Sequence, residues 1–79
     1  MVWIPIAIVL ITTELGAEND VINDLKKIDG VIEVFAVYGV YDVIAKLKAK
    51  SMVNLREIIL RCIRKSEKIR STLTAIEIE

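Results

Sequence analysis

The sequence contains no histidine and only one cysteine, Cys62, among its 79 residues. A lone cysteine excludes an internal disulfide. Without histidine, neither an ordinary zinc site nor a histidine-activated Ser or Cys nucleophile can be assembled. One free thiol fits a reducing compartment better than secretion, so the expected location is cytoplasmic. Charge of one sign is also missing: eleven basic and eleven acidic residues cancel, which leaves no global electrostatic footprint for DNA or RNA. No apolar run approaches the roughly 20 residues that a membrane-spanning helix needs. The apolar opening, Met1 to Ile11, lacks the basic start and small-residue cleavage site of a signal peptide, and reads as a buried strand. Gly-rich phosphate loops are absent, as are the paired cysteines that a heavy-metal loop would need between Thr12 and Gly16. Phe35, Tyr38 and Tyr41 are too few for an RNA-stacking sheet. No catalytic residue, metal or cofactor is therefore expected.

What the chain has in excess is apolar residues, 54% against 28% charged. A chain this short buries only roughly 60% of its unfolded surface, so one core is marginal and self-association is the remaining source of support.

The order of elements reads strand, helix, strand, strand, helix, strand. The first strand runs from about Trp3 to Thr13, with Pro5 at its start because proline cannot donate to a ladder. Gly16 precedes a helix from about Ala17 to Ile28, whose stripe is Val21, Ile22, Leu25 and Ile28. Asp29-Gly30 stops it. Strands follow at about Val31 to Tyr38 and Tyr41 to Ala49, joined tightly at Gly39-Val40. Ser51 is the expected N-cap of a helix from Met52 to Lys65, with the stripe Leu55, Ile58, Ile59, Cys62 and Ile63. The last strand covers about Ile69 to Ile78. Leu25-Lys26-Lys27 is echoed by Ile63-Arg64-Lys65, the trace of two β-α-β units. Two such units make an α+β, ferredoxin-like βαββαβ two-layer sandwich, with both helices on one face of an antiparallel sheet.

The uncovered face should alternate apolar with polar, yet the first strand is apolar on both sides: Ile4, Ile6, Ile8 and Leu10 against Ala7, Val9 and Ile11. The second is nearly the same, with Ile32, Val34, Ala36 and Tyr38 against Val31, Phe35 and Val37. The third sets Val43, Ala45 and Leu47 against Asp42, Ile44, Lys46 and Lys48. Sheet-to-sheet dimerisation into an α+β barrel would bury that face. Covering about 600 Å² of apolar area would contribute on the order of 15 kcal/mol before association costs.

Few residues carry chemistry. Cys62 lies on an apolar stripe and reads as core. Glu14, Glu18 and Asp20 suit a solvated helix start, and the six basic against two acidic residues from Arg56 to Arg70 suit a solvated helix face. The more informative set is Gly39, Tyr41 and Asp42 at the hairpin, with Thr72 and Thr74 on the last strand. A carboxylate and hydroxyls near backbone amides can recognise an amino acid. Turn chemistry for Gly and Asp, with strand propensity for Thr, accounts for the same residues. Both readings stand at this point.

The segments Leu25–Val31, Val37–Asp42 and Arg70–Thr74 resemble the effector-binding domain of the Lrp/AsnC regulators, the regulation-of-amino-acid-metabolism module, over nearly the whole chain. The resemblance implies dimers joined through their sheets, rings of dimers that are often octamers, and amino-acid effectors between dimers. It places ligand contacts at Gly39, Tyr41, Asp42, Thr72 and Thr74. Met1 opens directly on the first strand, so residues 1–79 are expected to be a single, stand-alone effector-binding domain without a helix-turn-helix. Such a module would regulate amino-acid metabolism or transcription through DNA-binding Lrp/AsnC relatives, with no direct nucleic-acid or membrane partner. Where many members of the family have Pro-Gly before the last strand, this chain has Glu67-Lys68. Alternatives of the same size are an ACT-like regulatory domain, with its ligand loop at Thr12 to Gly16, and a small dimeric α+β-barrel enzyme.

Overall fold

The computed structural model describes residues 4–77. Its elements are β1 (Ile6–Thr13), α1 (Glu18–Lys26), β2 (Val31–Ala36), β3 (Val43–Lys48), α2 (Met52–Arg64) and β4 (Ile69–Glu77). The strands form one antiparallel sheet in the order β2-β3-β1-β4, and both helices pack on one side of it. This is the ferredoxin-like α+β sandwich expected from the sequence. Trp3 and Ile78, placed at strand ends from the sequence, lie outside the described residues.

The helix-covered face carries the core. Ala7, Val9 and Ile11 of β1 and Val43, Ala45 and Leu47 of β3 are fully buried against Val21 and Leu25 of α1 and Leu55, Ile58 and Cys62 of α2. Each such Val, Leu or Ile contributes about 1.5–3 kcal/mol by leaving water. Ser51 caps α2 as expected, its hydroxyl accepting the Asn54 N–H at 3.1 Å. Gly30 has φ +103°, and a Cβ there would stand 2.4 Å from Cδ1 of Ile58. Glycine thus serves both the backbone and the close approach of α2.

Several elements are shorter than the sequence suggests: α1 covers Glu18–Lys26 rather than Ala17 to Ile28, and α2 ends at Arg64 rather than Lys65. β2 ends at Ala36 rather than Tyr38, and β3 begins at Val43 rather than Tyr41. Residues 37–42 instead form an open loop. Gly39 has φ +132°, and the Val37 N–H still donates to the Asp42 carbonyl at 2.9 Å. The faces of β2 also differ from strict alternation. A bulge between Val31 and Glu33 places Val31, Val34 and Ala36 together opposite Leu47, Ala45 and Val43, while Glu33 and Phe35 oppose Lys46 and Ile44.

Register defines the open face row by row. Phe35, Ile44, Leu10 and Leu73 form one apolar row across all four strands. Glu33, Lys46, Ile8 and Ala75 form the next, and Lys48, Ile6 and Glu77 a third. Leu73 is 54% exposed and Phe35 44% exposed, so this apolar row faces solvent in a single copy.

Candidate functional site

The carboxyl end of β1, the loop 37–42 and the start of β4 meet at one end of the sheet. Asp42 ties the loop to β1. Its backbone N–H donates to the Ile11 carbonyl at 2.9 Å, and its Oδ2 accepts the Thr13 N–H at 2.8 Å. The second contact is a charge-assisted bond from backbone to carboxylate, stronger than a neutral one. On the neighbouring strand, the Thr12 and Ser71 hydroxyls hydrogen-bond to each other across the β1–β4 pair. The Glu14 N–H donates to the Lys68 carbonyl at 2.8 Å, closing the β1–α1 connection onto the start of β4.

Asp42 lies between two open cavities. One, of about 450 Å³, is lined by Glu18, Ala36, Val37, Tyr38, Gly39 and Asp42. The other, of about 420 Å³, is lined by Thr12, Thr13, Asp42, Arg70 and Ser71. The second cavity thus presents one carboxylate, one guanidinium and three hydroxyls. That combination offers a cationic partner for a carboxylate and an anionic partner for an ammonium within one small volume. Three apolar side chains project at the same end: Leu15 and Tyr38 are fully exposed and Val40 is 84% exposed. Gly39 meets nothing within 4 Å where a Cβ would stand, so its glycine answers to backbone conformation alone.

The five residues singled out from the sequence are distributed unevenly. Gly39 and Asp42 line the same cavity. Tyr41 is half-buried in the same loop and lines neither cavity. Thr72 and Thr74 pair with Ile11 and Val9, which puts both on the helix-covered face of β4, outside either cavity. Arg70 and Ser71, part of the segment that carries the family resemblance, and Thr12 and Thr13, which open the loop of the ACT-like alternative, were not among those five, and the antiparallel β1–β4 pairing gathers them beside Asp42. Their signal was weak, two short polar runs separated by more than fifty residues. The ACT-like alternative placed its ligand loop at Thr12 to Gly16, and that loop begins at this same cavity.

The family model of the Lrp/AsnC ligand binding domain matches residues 6–79. The chain belongs to the Lrp/AsnC ligand-binding domain family. Members of that family are regulatory and non-enzymatic, which sets aside the barrel-enzyme alternative. Among solved structures, the chain is similar to the hypothetical protein PHS023 from Pyrococcus horikoshii, with 35% identity and a TM-score of 0.86, over 95% of this chain and 90% of that one. It also shares the fold of AsnC from E. coli, at 21% identity and a TM-score of 0.83, over 95% of this chain and 51% of that one. A third structure of the same fold is the transcriptional regulator NMB0573 from Neisseria meningitidis, solved as an L-Met complex. It shows 14% identity and a TM-score of 0.79, over 95% of this chain and 50% of that one. A search of curated proteins gave no match. The Lrp/AsnC domain therefore fills nearly all of one small relative and about half of two regulators.

Among the described residues, the remaining titratable groups of this Lrp/AsnC domain do not gather into a second chemical centre. Burial pushes the Cys62 thiol up to about 11, so at neutral pH it is a protonated core side chain rather than a nucleophile. Lys68 is raised by its hydrogen bond and ion pair with Asp20 at the protein surface. Among the described residues, no group of three metal-ligating side chains occurs, and no helix is long and apolar enough to cross a membrane.

Proposed function

We propose that this domain is an amino-acid sensor, binding a free amino acid at the hairpin end of the sheet. The observation that carries the reading is the cavity in which Asp42 shares the lining with Arg70, Thr12, Thr13 and Ser71. The effector's carboxylate is assigned to Arg70 and the hydroxyls, its ammonium to the Asp42 carboxylate, and its side chain to the volume beside Tyr38 and Gly39. Tyr41, Thr72 and Thr74 keep supporting parts in this proposal, Tyr41 within the loop and the threonines behind β4. The L-Met complex of NMB0573, a protein of the same fold, supports an amino acid as the ligand class.

Assembly is part of the same proposal. The open sheet face, with its apolar row Phe35, Ile44, Leu10 and Leu73, is covered by the sheet of a second copy. Dimers then associate into an octamer-like ring through the end that carries Leu15, Tyr38 and Val40, which closes over the effector site. Residues 1–79 act as a single effector-binding domain in the cytoplasm. Transcription is reached through co-assembly with DNA-binding members of the family rather than by direct contact with DNA.

A thermal-shift screen with the twenty common amino acids tests the reading. A specific ligand raises the melting temperature by mass action, by an amount that grows with its concentration. A flat response to all twenty at millimolar concentration overturns the amino-acid assignment.

A further inference from the structure

The cavity assigned above to the effector's side chain carries charge of one sign. Two carboxylates, Glu18 and Asp42, line it together with the Tyr38 ring, Ala36, Val37 and Gly39, and no lysine or arginine does. Glu18 and Asp42 are both half-buried, so solvent screens them less than it screens fully exposed groups. Asp42 already accepts the Thr13 N–H, whereas among the described residues no ion pair involves Glu18. An acid in the first turn of α1 suits the positive end of the helix. Asp20 shares that turn, however, and is paired with Lys68 at the surface, while Glu18 is the one that lines the cavity. Across this cavity and the adjoining one, the carboxylates of Glu18 and Asp42 face a single guanidinium, Arg70. An effector whose carboxylate pairs with Arg70 and whose ammonium pairs with Asp42 leaves Glu18 uncompensated. A second cation on the effector's side chain removes that excess, and the face of Tyr38 attracts it as well. Ala36 and Val37 offer apolar surface to the methylenes that separate the two cations of such a ligand.

We propose that Glu18 makes the effector site selective for a long basic amino acid, of the lysine, ornithine or arginine class, by pairing with its side-chain cation. The proposal rests on the effector site given above. Attraction to the basic side chain is half of the selectivity. The other half is rejection: a neutral side chain of equal length covers the Glu18 carboxylate, strips it of water and returns no partner. An acidic side chain adds like-charge repulsion to that cost.

The test is calorimetry on the whole chain with L-lysine and with L-norleucine, which has the same butyl chain but no terminal ammonium. The wild type should bind lysine roughly tenfold or more tighter than norleucine. Glu18→Gln keeps the length of the side chain and removes its charge. It should weaken lysine binding roughly ten- to a hundredfold and leave norleucine within about twofold, with circular dichroism unchanged. Glu14→Gln removes a nearby carboxylate that lines neither cavity, and it should leave both affinities in place. A wild type that prefers norleucine or another neutral amino acid overturns the selectivity while leaving the effector site standing. So does a Glu18→Gln variant that still favours lysine, or a Glu14→Gln variant that loses lysine as strongly. A wild type that binds none of the twenty common amino acids overturns the effector site itself, and the selectivity with it.

Discussion

The two faces of β1 are almost equally apolar in composition but differ in what they touch. Ala7, Val9 and Ile11 are wholly enclosed by the helices, while Ile6, Ile8 and Leu10 are only half-buried on the open side. The enclosed face is the one whose neighbours are also uniformly apolar: Val43, Ala45 and Leu47 on β3. The open face mixes an apolar row with lysines and glutamates. The difference teaches that hydrophobicity alone reports that a face wants burial, not by what. Dry packing tolerates no unpaired charge, so the charged rows mark the side that the helices leave open.

Substitutions on the two sides separate these roles. Val9→Glu puts a carboxylate into the enclosed face and should cost more than about 4 kcal/mol, enough to unfold the domain, as read by urea denaturation. Ile8→Glu, one residue away, should leave the circular dichroism native and shift sedimentation toward the 8.9 kDa monomer. If both variants unfold, or both merely dissociate, the contrast between the faces is wrong. Where the sheet ends, Asp42→Asn keeps an oxygen for the Thr13 N–H but removes the charge. Calorimetry with the amino acid found by the screen should show a loss of about 1.5–3 kcal/mol, roughly ten- to a hundredfold in affinity. Gly30→Ala probes the approach of α2 to the enclosed side. It should lower stability by about 1–3 kcal/mol, through the positive φ and the clash with Ile58, without altering the dimer. The smallest effect belongs to Thr74→Val, on the helix-covered face and outside both cavities. Stability should move by less than about 0.5 kcal/mol, and ligand affinity should barely change. A large affinity loss there would shift the site from the Arg70 side of Asp42 to the helix side of β4.

Most of the fold was legible because its signals are local. Val21 and Leu25 repeat at helical spacing and are buried, Ser51 precedes its helix and caps it, and Gly30 breaks the chain where the turn needs a positive φ. The β2 bulge was not legible. Val31-Ile32-Glu33 reads equally well in either alternation, and only pairing with Leu47 and Lys46 decides which residue is extra. The candidate site was legible in part for the same reason. Gly39 and Asp42 are close in sequence and come together in space. Arg70 and Ser71 join Asp42 only because β4 returns beside β1, two strands away from β3.

By itself, the sequence determined the order of elements, the absence of histidine and disulfide chemistry, and an apolar excess that reaches both faces of β1. Those properties depend on residue type and on neighbours within a few positions, which no tertiary arrangement can change. The tertiary structure decided which face of each strand is dry, where the β2 register slips, and which polar residues share a cavity with Asp42. These are outcomes of strand pairing, in which a shift of one residue turns every side chain to the opposite face, so only the assembled sheet can fix them.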